Sequence, residues 1–123
     1  MENLFVSSTQ QSLEINLQAD GNLILSGIST PDNVTTFFKP VNDWIVKYLD
    51  ESCEHFQLEF FIDYLNTSST RILIDILRVI KTYQTDTFTP FIIWHYEADD
   101  EDILELGEEL ALISKLEFEY KAI

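Results

Sequence analysis

The chain has 123 residues, 46% of them hydrophobic, and carries 22 acidic against 7 basic side chains for a formal charge of −15. That length suits a single domain able to bury roughly two-thirds of its unfolded surface, and that apolar content excludes a disordered chain. The acidic surface repels phosphate backbones and anionic headgroups, so neither nucleic acid nor membrane insertion is expected, and basic patches on protein partners are its natural complement.

The opening MENLFVSSTQQ lacks a basic segment followed by an apolar one and does not read as a signal peptide. No apolar run approaches the roughly 20 residues of a membrane span. The only cysteine, Cys53, can form no intrachain disulfide and has no basic or thiol neighbour to activate it. Together these lead us to expect a cytoplasmic protein.

Along the chain, Leu13, Ile15 and Leu17 alternate with polar residues over 12–18, the period of a half-buried strand. Asp20-Gly21 then supplies a turn into a second strand, LILSG, so the two form an antiparallel hairpin at one edge of the sheet. STPDN breaks the pattern and offers Asp32 or Asn33 as a helix cap. From Val34 to about Leu49 apolar residues recur at helical spacing, with Pro40 expected to kink the helix or to mark the end of a first turn. Residues 55–65 read as a strand with Phe56, Leu58, Phe60 and Ile62 on one side.

SSTRILIDILRVIKTYQ follows, with polar residues at 71, 75, 78 and 82 forming the solvated stripe of a helix and most of its remaining circumference expected to be buried. TPFIIWHYE is nearly all apolar at its start and predicts a central strand. ADDEDILELGEELALIS predicts an acidic helix with Gly107 as its weak point, and LEFEYKA closes as a strand. The order β-β-α-β-α-β-α-β implies one α/β domain over residues 1–123. Its sheet is mixed, with an N-terminal β-hairpin and helices packed on one face.

The segment YLNTSST, residues 64–70, places four hydroxyl side chains in a row, Thr67 to Thr70, between a strand and a helix. Asn, Ser and Thr are cap-forming residues, and Asn66 or Thr67 can simply start the helix. The same free backbone N–H groups and positive dipole end also make a prepared anion site. A phosphate on Thr67 would meet those donors, with Arg71 one turn further on. Screening confines the opposing effect of the global charge to roughly 8 Å at physiological salt. Both uses can hold at once.

YLNTSSTRILIDIL and WHYEADDEDILELGEE, with the PDN turn and the Trp of NDWIVKYL, closely resemble the SiaC family of bacterial regulatory phosphoproteins, and the match spans essentially the whole chain. The resemblance implies a fold like the STAS domains of anti-sigma factor antagonists and a switch by phosphorylation of Thr67. It also implies a cognate Ser/Thr kinase of the anti-sigma-factor type, a PP2C-like phosphatase, and a diguanylate cyclase bound by the unphosphorylated form. Tyr64, Asn66, Ser68, Ser69 and Arg71 would then form the switch surface. Arg71 stands where the family pattern leads one to expect a lysine, keeping the charge but changing the hydrogen-bond geometry.

Other features carry less. The run EADDED lacks the spacing and turn glycine of a calcium loop, and its acids suit the first turn of a helix. With the family likeness, Asp99, Asp100, Glu101 and Asp102 could instead meet basic residues of a partner. His55 and His95 lie in no metal-ligand motif. A hydrolase would have to bring Ser68 or Ser69 to His95 and an acid, without a G-x-S-x-G elbow. No glycine-rich phosphate loop is present, so no nucleotide cofactor is expected. A regulatory phosphoprotein without enzymatic activity is the leading reading. An anti-sigma factor antagonist with the same switch, or a small hydrolase, are the alternatives.

Overall fold

The computed structural model describes residues 1–51 and 54–123, so the reading of Cys53 lies outside the described residues. Nine elements follow in chain order: β1 (Leu4–Val6), β2 (Glu14–Leu17), β3 (Asn22–Ser29), α1 (Val34–Asp50), β4 (Gln57–Leu65), α2 (Thr67–Thr82), β5 (Phe91–Tyr96), α3 (Glu101–Ser114) and β6 (Phe118–Ala122). The six strands lie side by side in sequence order. β1 with β2 and β2 with β3 pair antiparallel, whereas β3 to β6 are parallel and joined through the three helices.

This is the expected mixed α/β sheet, with one addition at the edge. β1 was not expected, because three residues are too few to show a period. It pairs Leu4 with Leu17 and Val6 with Ile15, and the Trp44 indole N–H donates to the Glu2 carbonyl at 2.8 Å to hold the segment against α1. The hairpin is therefore one strand in from the edge.

Strand alternation sorts the sheet into two faces. Ile15, Leu17, Leu23, Leu25, Leu58, Phe60, Ile62, Ile92 and Trp94 join one core with Phe38, Val41 and Ile45 of α1, Leu73, Leu77 and Ile80 of α2, and Ile103 and Leu110 of α3. Residues of the opposite parity, such as Asn16, Ile24, Glu59 and Phe61, are only part-buried and lie outside that core. The helices thus share one face, as expected.

Three local readings need adjustment. α1 runs on through Pro40 rather than stopping there. Pro40 and Thr36 are both exposed, so the carbonyl that loses its proline-side partner can be met by water. On α2, residues 71, 75, 78 and 82 are exposed as expected, but Ile72, Ile74 and Val79 are only half-buried, so the covered stripe is narrower than its composition suggested.

Gly107, expected to weaken α3, is a packing position. A Cβ there would lie 2.6 Å from Cδ1 and Nε1 of Trp94, so its lack of a side chain lets the helix approach the sheet. Four residues earlier on the same helix face, the Ile103 carbonyl accepts the Trp94 indole N–H at 2.9 Å. The ring is gripped by two successive turns of α3.

Candidate functional site

The site begins with a register shift. β3 and β4 pair regularly from Asn22–Gln57 to Gly27–Ile62, then slip by one residue, so that Ile28 faces Tyr64 and Ser29 faces Leu65. The extra residue, Asp63, is on β4, and beside the slip Gly27 takes φ +108°, a conformation that residues with a side chain rarely adopt. The slip carries Ser29 to the point where β4 turns into α2.

There it meets the start of the helix. Asn66, in extended backbone geometry, is the N-cap, and its side-chain oxygen accepts the Ser69 N–H at 2.8 Å. The Asn66 carbonyl takes the Thr70 N–H at 2.9 Å and the Thr70 hydroxyl at 3.0 Å. The Ser29 carbonyl accepts both the Asn66 N–H and the Ser69 hydroxyl, each at 3.0 Å. A hydroxyl has one proton. Since Ser69 donates its proton to that carbonyl, the 2.7 Å contact between the two serine hydroxyls is a donation from Ser29 to Ser69.

The hydroxyl run is therefore divided. Ser69 is fully buried and locked to β3. This corrects the expectation that it belongs to the switch surface: the helix turns its third residue inward, onto Ser29. Thr67 and Ser68 point to solvent, and among the described residues the Thr67 hydroxyl has no hydrogen-bond partner. Capping falls to Asn66, one of the two residues considered for it, which leaves Thr67 free. The backbone N–H groups of Thr67 and Ser68 also have no acceptor among the described residues, and they lie at the positive end of the dipole of a 16-residue helix.

Tyr64, 54% exposed, stands at the end of β4. With Thr67, Arg71 and Arg78 it borders a groove floored by Ile74 of α2 and by Leu106 of α3. Tyr64, Thr67 and Arg71 thus border one groove. Arg78 was read only as part of a solvated stripe. The signal that could have singled it out is its seven-residue spacing from Arg71, which returns it to the same side of the helix.

The acidic run builds the start of α3. Asp100 is the N-cap, accepting the Ile103 N–H at 3.0 Å, and Glu101 and Asp102 occupy the first turn. Asp99, Glu101 and Asp102 are exposed. Among the described residues no three His, Cys, Asp or Glu side chains converge to hold a metal ion. No helix among them is long and apolar enough to cross a membrane.

His95 sits elsewhere. Its Nε2 lies 3.0 Å from Glu59 Oε1, and its ring stacks on Phe61 with centroids 3.9 Å apart, on the uncovered face of the sheet. Ser69 is sealed on the helical side, so the serine–histidine contact that a hydrolase would need is not assembled from this pair.

Comparison with known proteins converges on one group. The profile for SiaC family regulatory phosphoproteins matches residues 6–123. An uncharacterised protein of Pseudomonas aeruginosa strain UCBPP-PA14 is 32% identical over 112 residues, covering 89% of this chain and 87% of that protein. The crystal structure of apo-SiaC from Pseudomonas aeruginosa superposes with a TM-score of 0.90 at 29% identity, over 99% of this chain and all of the other. SiaC in the crystal structure of the diguanylate cyclase SiaD with its activator SiaC, from the same species, gives 0.91 at 29% identity over 98% of this chain and 99% of that one.

Proposed function

This chain belongs to the SiaC family of regulatory phosphoproteins, and from that premise we propose that it is a non-enzymatic binding module whose grip on a diguanylate cyclase is released by phosphorylation of Thr67. The observation that carries the reading is the division of labour at the α2 N-terminus. Asn66 does the capping, Ser69 does the anchoring, and Thr67 presents an exposed hydroxyl with no structural duty. A kinase can modify that oxygen without dismantling the fold. SiaC from Pseudomonas aeruginosa is bound to SiaD as its activator, which supports a cyclase as the kind of partner.

Unmodified, the surface formed by Tyr64, Asn66, Thr67, Ser68 and Arg71 docks the partner through neutral hydroxyls and close backbone approach. Phosphate brings a charge of about −1.5 to −2 to the middle of that contact. A charge desolvated without a partner costs several kcal/mol, and each 1.4 kcal/mol or so is tenfold in affinity. A Ser/Thr kinase of the anti-sigma-factor type and a PP2C-like phosphatase set the state. The exposed carboxylates of Asp99, Glu101 and Asp102 offer a further contact for basic residues of a partner, while that of Asp100 is used by the cap.

The test is intact-mass analysis after incubation with the cognate kinase, followed by calorimetry with the cyclase that co-purifies from the chain's own organism. Wild type gains one phosphate and Thr67→Ala gains none. Unmodified and Thr67→Ala proteins bind the cyclase, and the phosphorylated protein binds at least tenfold more weakly. Equal phosphate yield on Thr67→Ala refutes the site. Co-purification of an anti-sigma factor in place of a cyclase would assign the same switch to an anti-sigma factor antagonist.

A further inference from the structure

The chain has only two arginines, Arg71 and Arg78. Both are exposed on α2, and seven residues separate them, about two turns or 10 Å along one helix face. They border the groove between α2 and α3 above the half-buried Ile74, Leu106 and Ile113, with Thr67 at its mouth. Among the described residues neither makes an ion pair or hydrogen bond. Carboxylates are at hand: Asp75 lies between them on the helix, and Glu109 lines the opposite wall. In a chain of 22 acids and 7 bases, two guanidinium groups left unpaired over an apolar floor are available to carboxylates from outside.

We propose that this groove docks an acidic, apolar-faced segment of the partner, with carboxylates about 10 Å apart meeting Arg71 and Arg78, and that phosphorylation of Thr67 disables it by drawing Arg71 away. Thr67 and Arg71 stand at i and i+4, where side chains on a helix are neighbours. A phosphate there binds guanidinium in a charge-assisted, bidentate contact. The modification then acts twice, placing a dianion at the mouth of the groove and removing one of the two cations that hold the segment. This inference rests on the Thr67 reading, and Arg78 separates the two. It lies eleven residues from Thr67, about 16 Å along the helix and beyond the screening length of roughly 8 Å.

Calorimetry of the full chain with the co-purified cyclase decides the docking. Arg78→Glu weakens binding at least tenfold, Arg78→Met less but in the same direction, and both accept phosphate on Thr67 at the wild-type rate. Lys121→Glu, the same charge change on β6 outside the groove, alters affinity less than twofold. Phosphorus NMR of the phosphorylated chain decides the capture: Arg71→Met raises the second ionisation of the phosphate, and Arg78→Met leaves it in place. Arg78→Glu binding like wild type, or Lys121→Glu losing as much, overturns the groove. An ionisation unmoved by Arg71→Met overturns the capture. If phosphorylated and unmodified chains bind the cyclase alike, the Thr67 reading itself falls and the capture of Arg71 with it, whereas the groove stands or falls on Arg78→Glu.

Discussion

Ser29 and Ser69 are 40 residues apart in the chain, yet their hydroxyls meet at 2.7 Å with both residues wholly out of solvent. This pair, with the carbonyl of Ser29, is the polar rivet between the end of β3 and the first turn of α2. It sets where Thr67 stands.

Removing one hydroxyl strands the other. Ser69→Ala takes one donor from the Ser29 carbonyl and, among the described residues, the only partner from the Ser29 hydroxyl, and a buried unmatched polar group costs about 1–3 kcal/mol. We expect a loss of that size in urea unfolding. The double change Ser29→Ala with Ser69→Ala should lose less than the sum of the single changes, because the second substitution removes a group that the first had stranded. Strict additivity would show that the two hydroxyls act independently.

Neighbouring residues 66 and 67 should differ sharply. Asn66→Ala deletes the cap that accepts the Ser69 N–H and should cost about 1 kcal/mol. Thr67→Ala removes an exposed hydroxyl that has no partner among the described residues and should stay within about 0.5 kcal/mol of wild type. Chemical denaturation of both proteins checks this. A Thr67→Ala loss as large as that of Asn66→Ala would mean that Thr67 is structural after all.

Gly107→Ala sets two effects against each other. Alanine is the better helix former by about 1 kcal/mol, but overpacking a core costs about 1–3 kcal/mol. The added Cβ would meet three atoms of the Trp94 ring, the closest at 2.6 Å, and that fully buried ring is also held through its indole N–H. The clash should win. Thermal melting should fall, with a change in tryptophan emission; an unchanged or higher melting temperature would refute the close approach.

Tyr83, just past α2, donates to Asp50 Oδ1 at the end of α1. That hydrogen bond first, then desolvation and the carboxylate charge, raises the phenol pKa above its usual 10.0. A group whose folded pKa is raised stabilises the fold fully below its unfolded value and loses that contribution as pH climbs through the folded value. Tyr83→Phe should therefore melt below wild type at neutral pH, and the gap should close only as pH climbs beyond 10 and through the raised folded value. A gap that persists there would mean that packing, rather than the hydrogen bond, distinguishes them.

Much of the site was legible in the chain, though unevenly. Asn66 as a cap and Arg71 one turn beyond Thr67 follow from local rules, because a cap and an i,i+4 pair each span a single turn. Ser69 could not be placed that way. Whether the third hydroxyl of NTSST faces water or core depends on the helix phase and on what β3 offers beneath it. That is decided by a one-residue slip at Gly27, some forty residues upstream. The glycine in LILSGIS was read only as part of a strand, and the slip beside it becomes visible only once β3 lies against β4.

The same division holds for the whole molecule. Period-two and period-3.6 patterning determined the central strands, the three helices and the α/β class, because each is a repeat that shows itself within ten residues or so. Tertiary structure alone decided that LFV is a strand, since three residues gain their order from β2 and Trp44. It decided as well that Gly107 is a contact rather than a flaw, and that the two arginines, unpaired among the described residues, border one groove floored by Ile74 and Leu106. Each of these depends on which distant residue fills the neighbouring space, and local periodicity carries no information about that.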